Sequence, residues 1–151
     1  MTSPNLPMTV GDLMAVDPIV VKANASLSEA AELLDRHHIS GLPVVDGAGS
    51  LVGVVSQTDL VRARSTQYLW ANWPGLAVRH VMTSPAITVH RSTPLVVAAA
   101  RMERQHIHRL GVVADVDETL PIGILSMTDL VHAIANGPEV DAASRGVSDA
   151  R

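Results

Sequence analysis

The chain reads as an α/β (α+β) protein built from two β-α-β-β-α repeats. Two observations predict this class: a stretch of sequence that occurs twice, and a switch between strand-like and helix-like periodicity in the same order within each copy. Gly53-Val-Val-Ser-Gln-Thr-Asp-Leu-Val returns as Gly123-Ile-Leu-Ser-Met-Thr-Asp-Leu-Val at a spacing of 70 residues. Upstream the spacing is 68, pairing Met14 with Met82, Ile19 with Ile87, Leu27 with Leu95, His38-Ile39 with His106-Ile107 and Val44-Val45 with Val112-Val113. Two extra residues between Ala114 and Ile122 account for the change, at a hairpin tip where insertions are tolerated.

Each copy opens on a short apolar strand over 19–21 or 87–89. A helix follows. In the first copy Ser26 or Ser28 caps it, and Ala30, Ala31, Leu33 and Leu34 recur at helical spacing; in the second, Pro94 precedes Val97, Ala98 and Met102. A hairpin comes next, with strands over 42–45 and 51–56 joined by Asp46-Gly-Ala-Gly, whose glycines permit positive φ. The closing helix covers 58–64 and, in the second copy, 128–135, where Asn136-Gly-Pro stops it. The resulting division is an N-terminal arm (1–9), repeat 1 (10–64), a linker (65–78), repeat 2 (79–137) and a polar tail (138–151). A unit of about 55 to 60 residues buries a modest share of its surface, so the two copies should pack together. The linker carries every aromatic residue, Tyr68, Trp70 and Trp73, suited to covering an open core edge or to an interface.

Composition narrows the function. Hydrophobic residues make up 47% of the chain and charged residues 17%, enough for a buried core. The net charge of −4 supplies no field for a polyanion, which argues against nucleic acid as a partner. With no cysteine there is no disulfide framework and no thiolate metal site. The first residues lack the basic-then-apolar pattern of a signal peptide, and no apolar run approaches the ~20 residues of a membrane span. The expectation is a cytoplasmic protein with no membrane partner.

The repeated Gly-x-x-Ser-x-Thr-Asp stretch lies where a strand ends and a helix begins. Ser56, Thr58 and Asp59, and again Ser126, Thr128 and Asp129, bring hydroxyls, a carboxylate and helix N-terminal N–H groups to one point. Such a cluster suits an anion, with the carboxylate accepting from a pair of ribose hydroxyls. Helix capping without any ligand is the competing reading, and repetition alone does not separate the two. At the entrance to the first hairpin strand stands Ser40-Gly41-Leu42-Pro43, against His108-Arg109-Leu110-Gly111 in the second copy. Arg109 can grip a phosphate bidentately, with His106 and His108 assisting, or it is simply a surface arginine. Because Gly41 occupies the equivalent position, the two sites should differ in phosphate affinity. Arg62 and Arg64 follow the first motif on its helix, either solvated or reaching a neighbouring subunit's phosphate. The seven histidines lack carboxylates at familiar ligand spacing, so no metal site is expected. Nothing resembles a Walker loop, a cysteine nucleophile or a serine-hydrolase set, and no catalytic residue is assigned.

Taken together, Asp12-Leu-Met, His80-Val-Met-Thr, His38-Ile-Ser-Gly-Leu-Pro-Val-Val, His106-Ile-His-Arg-Leu-Gly-Val-Val and the two Gly-x-x-Ser-x-Thr-Asp segments resemble a tandem pair of cystathionine-β-synthase (CBS) domains, a Bateman module, over about residues 10–137. The resemblance implies repeats packed sheet to sheet with pseudo-twofold symmetry and two clefts for AMP, ADP, ATP or another adenosine compound, with no obligatory cofactor. It implies that Asp59 and Asp129 bind ribose, and that Ser56, Thr58, Ser126 and Thr128 lie near ribose or phosphate. Val20, Ile87, Leu42 and Pro43 would enclose the base, with Ser40 and Gly41 beside them, while His108 and Arg109 meet phosphates. Gly111 stands where the pattern has proline, as at Pro43, which should loosen the second strand entrance. It further implies a homodimer that signals to a separate effector protein rather than an enzyme. The alternative is a constitutive interaction or scaffold protein whose clefts are vestigial; an enzyme acting on a nucleotide ranks last.

Overall fold

The computed structural model describes residues 8–14, 19–65 and 75–136; Tyr68, Trp70, Trp73 and the polar tail lie outside them. A short helix α1 (Val10–Leu13) leads into β1 (Val21–Lys22), α2 (Leu27–His37), β2 (Gly41–Val45), β3 (Leu51–Ser56) and α3 (Gln57–Ser65). A 3-10 turn, Val78–His80, opens the second copy: β4 (Thr88–His90), α4 (Leu95–Gln105), β5 (Arg109–Ala114), β6 (Asp117–Ser126) and α5 (Met127–Asn136). Each copy forms one three-stranded sheet, whose first strand runs parallel and third antiparallel to the central one. The sheets meet through β2 with β6 and β3 with β5, so the repeat becomes two facing sheets with helices outside.

Local chemistry explains the boundaries. Ser26, not Ser28, caps α2, accepting from Glu29 N–H at 3.0 Å. Both first helices end on a histidine in the left-handed region, His38 at φ 54° and His106 at φ 55°. The next amide reaches back five residues, Ile39 N–H to Leu34 O at 3.1 Å and Ile107 N–H to Met102 O at 3.0 Å, which closes the helix as a Schellman turn. In the first hairpin Asp46 accepts from Ala48 and Ser50 N–H, both at 2.9 Å, and Gly49 supplies the positive φ of 87°. The two-residue insertion lengthens β6 and is absorbed by two register shifts opposite Val112–Ala114.

The strand entrances reverse one expectation. Gly111, far from loosening the second repeat, donates its N–H to Ile87 O at 2.9 Å, and β4 pairs from Thr88 onward. Pro43 has no N–H to give, and β1 pairs only from Val21. The proline thus shortens its strand and the glycine extends the other.

Two cores form, one per sheet. Leu27, Ala30, Leu34, Leu42, Val44 and Val55 fill the first; Val89, Ala98, Met102, Leu110, Val112 and Leu125 fill the second. Val97, expected on the buried stripe of α4, is 47% exposed, because the stripe follows Ala98 and Met102 at i, i+4. Each core is finished by the segment that precedes the other repeat's first strand. Val10 N–H bonds Thr93 O and Gly11 N–H bonds Arg91 O, both at 2.9 Å, and Val10 and Met14 join the second core. Reciprocally, Val78 N–H bonds Ala25 O at 2.8 Å, Arg79 N–H bonds Ala23 O at 2.9 Å, and Val78 is fully buried in the first core. Core membership therefore crosses the divisions drawn at residues 10 and 79.

A candidate ligand cleft between the repeats

Strands β3 and β6 run straight into α3 and α5, so the last strand residue is also the helix cap. Ser126 N–H donates to Asp129 Oδ2 at 2.8 Å, and Asp129 N–H donates back to Ser126 Oγ at 3.2 Å. Ser56 and Asp59 repeat both bonds at 2.8 and 3.2 Å, and the Ser56 hydroxyl adds a third to Asp59 Oδ2 at 3.0 Å. These are reciprocal capping boxes with aspartate at the third helical position. Ser and Asp of the repeated motif therefore do have a structural task, while Thr58 and Thr128 stay exposed. The cap uses one carboxylate oxygen, and a carboxylate offers about four lone-pair sites, so Asp129 Oδ1 is left as an acceptor. Asp59 Oδ1 instead faces the Arg62 guanidinium at 3.7 Å.

The helix starts are less open to an anion than the motif suggests. Met127 N–H is taken by His108 O at 2.8 Å and Gln57 N–H by Ser40 O at 2.9 Å, while the aspartate amides serve the caps. Anion recognition by free N-terminal amides is correspondingly reduced.

A cleft of about 350 Å³ opens between the repeats. Ile19, His38, Ile39, Ser40, Gly41 and Pro43 of the first repeat face Gly123, Ile124, Ser126, Thr128 and Asp129 of the second, with Leu13 and Met14 at the end of α1 beside them. Of the residues assigned from sequence, Ser40, Gly41, Pro43, Ser126, Thr128 and Asp129 are brought together here. Strand alternation sends Leu42, at 0% exposure, into the first core, and its side chain does not line this cleft. Val20, 37% exposed, stands outside the lining, and Ile19 takes the wall. Ile87 packs against the second core and His108 is exposed, neither lining this cleft. Ser56, Thr58 and Asp59 lie at the start of α3, outside it as well. The repeat itself flagged Ile19, Met14 and His38-Ile39, but their position on a shared wall depends on the crossed packing of the arms.

Among the described residues Asp129 is the only lining carboxylate, and no described lysine or arginine lines the walls. Arg109 approaches from β5, its Nε donating to Ser40 Oγ at 3.3 Å. Among the described residues no group of three or more His, Cys, Asp or Glu could hold a metal ion. None of their helices is long and apolar enough to cross a membrane.

The family model described as "CBS domain" matches residues 10–66 and again 78–136. The chain belongs to the CBS-domain family. This CBS pair is 40% identical over 114 residues to a homoserine O-acetyltransferase of Methanocorpusculum labreanum and 31% identical over 121 residues to an L-aspartate semialdehyde sulfurtransferase of Methanocaldococcus jannaschii. Those matches cover 76% and 80% of the chain but 22% of each relative, so the chain spans under a quarter of their length. Among solved structures, the CBS domain pair of protein MJ0100 with 5′-methylthioadenosine and S-adenosyl-L-methionine superposes with a TM-score of 0.75 at 29% identity, over 85% of this chain and 97% of that one. CBSX2 in complex with AMP, a protein of Arabidopsis thaliana, gives 0.68 at 34% identity, over 84% and 96%. The mixed α/β architecture of two packed sheets is the one these CBS pairs share.

Proposed function

We propose that this CBS pair is a non-catalytic regulatory module that binds an adenosine-containing ligand in the cleft at Asp129 and passes its occupancy to a separate effector protein. The observation that carries the reading is the cleft itself, where Ser126, Thr128 and Asp129 of one repeat face Ser40, Gly41 and Pro43 of the other. Its volume of about 350 Å³ lies within the range of small-molecule sites. The walls formed by Ile19, Ile39, Pro43 and Ile124 suit a flat base, and Asp129 Oδ1 suits a vicinal diol. Structural neighbours bound to AMP and to methylthioadenosine and S-adenosylmethionine support the ligand class. Because both repeats wall the cleft, a ligand favouring one inter-repeat angle shifts the population toward it. A homodimer is part of the proposal: Val61 and Val131 occupy equivalent positions on α3 and α5 and are 65% and 57% exposed, with Ile134 at 82%.

The test is calorimetric titration with adenosine, AMP, ATP and S-adenosylmethionine, on the native chain and on Asp129→Asn. Asparagine keeps an oxygen for the Ser126 amide, so the cap survives while the charged diol acceptor is lost; Asp129→Ala would remove the cap as well. Micromolar binding, near −8 kcal/mol, that Asp129→Asn removes at unchanged thermal stability is the expected result. Failure of all four compounds to bind would instead favour a constitutive scaffold with relict clefts.

A further inference from the structure

We propose that Asp115 and Glu118, at the end of the β5–β6 hairpin, are positioning residues for the cleft: they clamp the β4–α4 loop, the loop holds α1, and α1 sets the wall formed by Leu13 and Met14. Each link is a contact between named groups. Ser92 donates both its N–H and its hydroxyl to Asp115 Oδ1, each at 3.1 Å, and His90 Nε2 lies 2.9 Å from Glu118 Oε2. Asp117 shapes the hairpin end by accepting from the Thr119 N–H at 2.9 Å and from its hydroxyl at 2.7 Å. The clamped loop in turn holds the start of α1. Val10 N–H bonds Thr93 O, Gly11 N–H bonds Arg91 O, and Leu95 N–H bonds Met8 O at 2.7 Å. The fit is close, since a Cβ at Gly11 would lie 2.7 Å from Arg91 Cγ. At the other end of α1, Leu13 and Met14 line the cleft.

The first repeat lacks the residue types for such a clamp. At the spacing of 68, Lys22 stands where His90 is, Asn24 where Ser92 is and Gly47 where Asp115 is. Gly47 has no side chain with which to accept from the loop, and Asp46 beside it closes its own turn by accepting from Ala48 and Ser50 N–H. Glu118 lies in the stretch that carries the two extra residues, so the insertion that lengthens β6 also supplies the second clamping carboxylate. A helix of four residues does not hold its own position in water. Val10 in the second core and the loop carbonyls fix α1, and the hairpin carboxylates fix the loop. The clamping bonds are exposed and lie outside both cores, so their loss should free α1 locally and leave the sheets in place. This concerns the wall of the cleft and holds for whichever ligand the cleft takes.

The test is nuclear magnetic resonance on the full chain without ligand, reading amide exchange at Val10 and Gly11 and the methyl resonance of Met14, which packs against Gly123. Asp115→Ala should speed exchange at both amides roughly 3- to 10-fold, the size of one or two exposed hydrogen bonds, and should shift the Met14 methyl. Adding Glu118→Ala should enlarge both effects. Asp115→Asn keeps an acceptor oxygen for Ser92 and should restore most of the native behaviour, while Asp46→Ala, which opens the first hairpin's turn, should leave α1 unchanged. Exchange that rises equally at α1 and along β5 would show a merely structural hairpin and overturn the assignment, as would an unmoved Met14 methyl. Calorimetry with adenosine supplies the second arm: binding should weaken roughly 2- to 10-fold in Asp115→Ala and recover in Asp115→Asn. An affinity that stays constant while Met14 moves would also overturn the positioning role. If the native chain does not bind adenosine, the ligand reading fails, and amide exchange with the Met14 resonance still decides the clamp.

Discussion

His38 and His106 hold the left-handed backbone at which α2 and α4 end, with φ of 54° and 55°. A β-branched residue resists that conformation, and glycine adopts it freely. His106→Val should therefore cost about 1 to 2 kcal/mol in urea denaturation, whereas His106→Gly should be neutral or slightly stabilising. A loss of equal size in both variants would show that the ring's contacts matter and not the backbone. The repeated His-Ile pair is plain in the sequence, yet its reason is not, since periodicity carries no sign of φ; charge near a phosphate was the reading it invited for His106. The Ser-Asp box spans three residues and is legible as a cap, which is why capping and ligand binding were both open. Leu42 and Ile19 show the limit. Alternation says that neighbours face opposite ways, but which face meets a core and which a cleft depends on the sheet across from it.

At the scale of elements, the repeat predicted the β-α-β-β-α order of each copy, without the short helix α1 and the 3-10 turn at Val78–His80, and the departures in strand length trace to backbone donors. The first strand of the second repeat gains a pair, Thr88 with Gly111, because Gly111 N–H reaches Ile87 O at 2.9 Å. Gly111→Pro should remove that bond and shorten β4 to the length of β1, costing about 1 to 3 kcal/mol. Gly111→Ala keeps the donor and asks only that Leu51 Cδ2, 3.2 Å from the new Cβ, move aside, so it should cost less. Urea midpoints rank the two, and hydrogen exchange at residue 111 in the alanine variant reports whether the bond persists. Equal midpoints would show that the bond contributes nothing net. The matching absence in the first repeat, at Pro43, leaves Val20 out of the ladder, and so the residue expected against a base became an exposed one.

For the whole molecule the crossed arms matter most. Val10 and Met14 complete the second core while lying ahead of the first repeat's β1, and Val78 completes the first core while lying ahead of the second repeat's β4. Neither repeat then keeps its full core when the other unfolds, so the pair should melt as one cooperative unit although each sheet has its own core. Val10→Ala and Val78→Ala delete buried methyl groups in different cores, each at roughly 1 to 3 kcal/mol. Both should lower one shared midpoint, seen alike by circular dichroism and by loss of nucleotide binding. Independent repeats would give a split transition instead, with each substitution moving only its own half. The same wiring gives the cleft its reach. Met14 packs where a side chain at Gly123 would stand, and Leu13 and Met14 line the cleft, so a ligand there touches the arm that holds the second core as well as both sheets. Saturating AMP should consequently raise the single midpoint without splitting it, by the free energy of binding the folded pair alone, near 2.7 kcal/mol at about 100 times the dissociation constant.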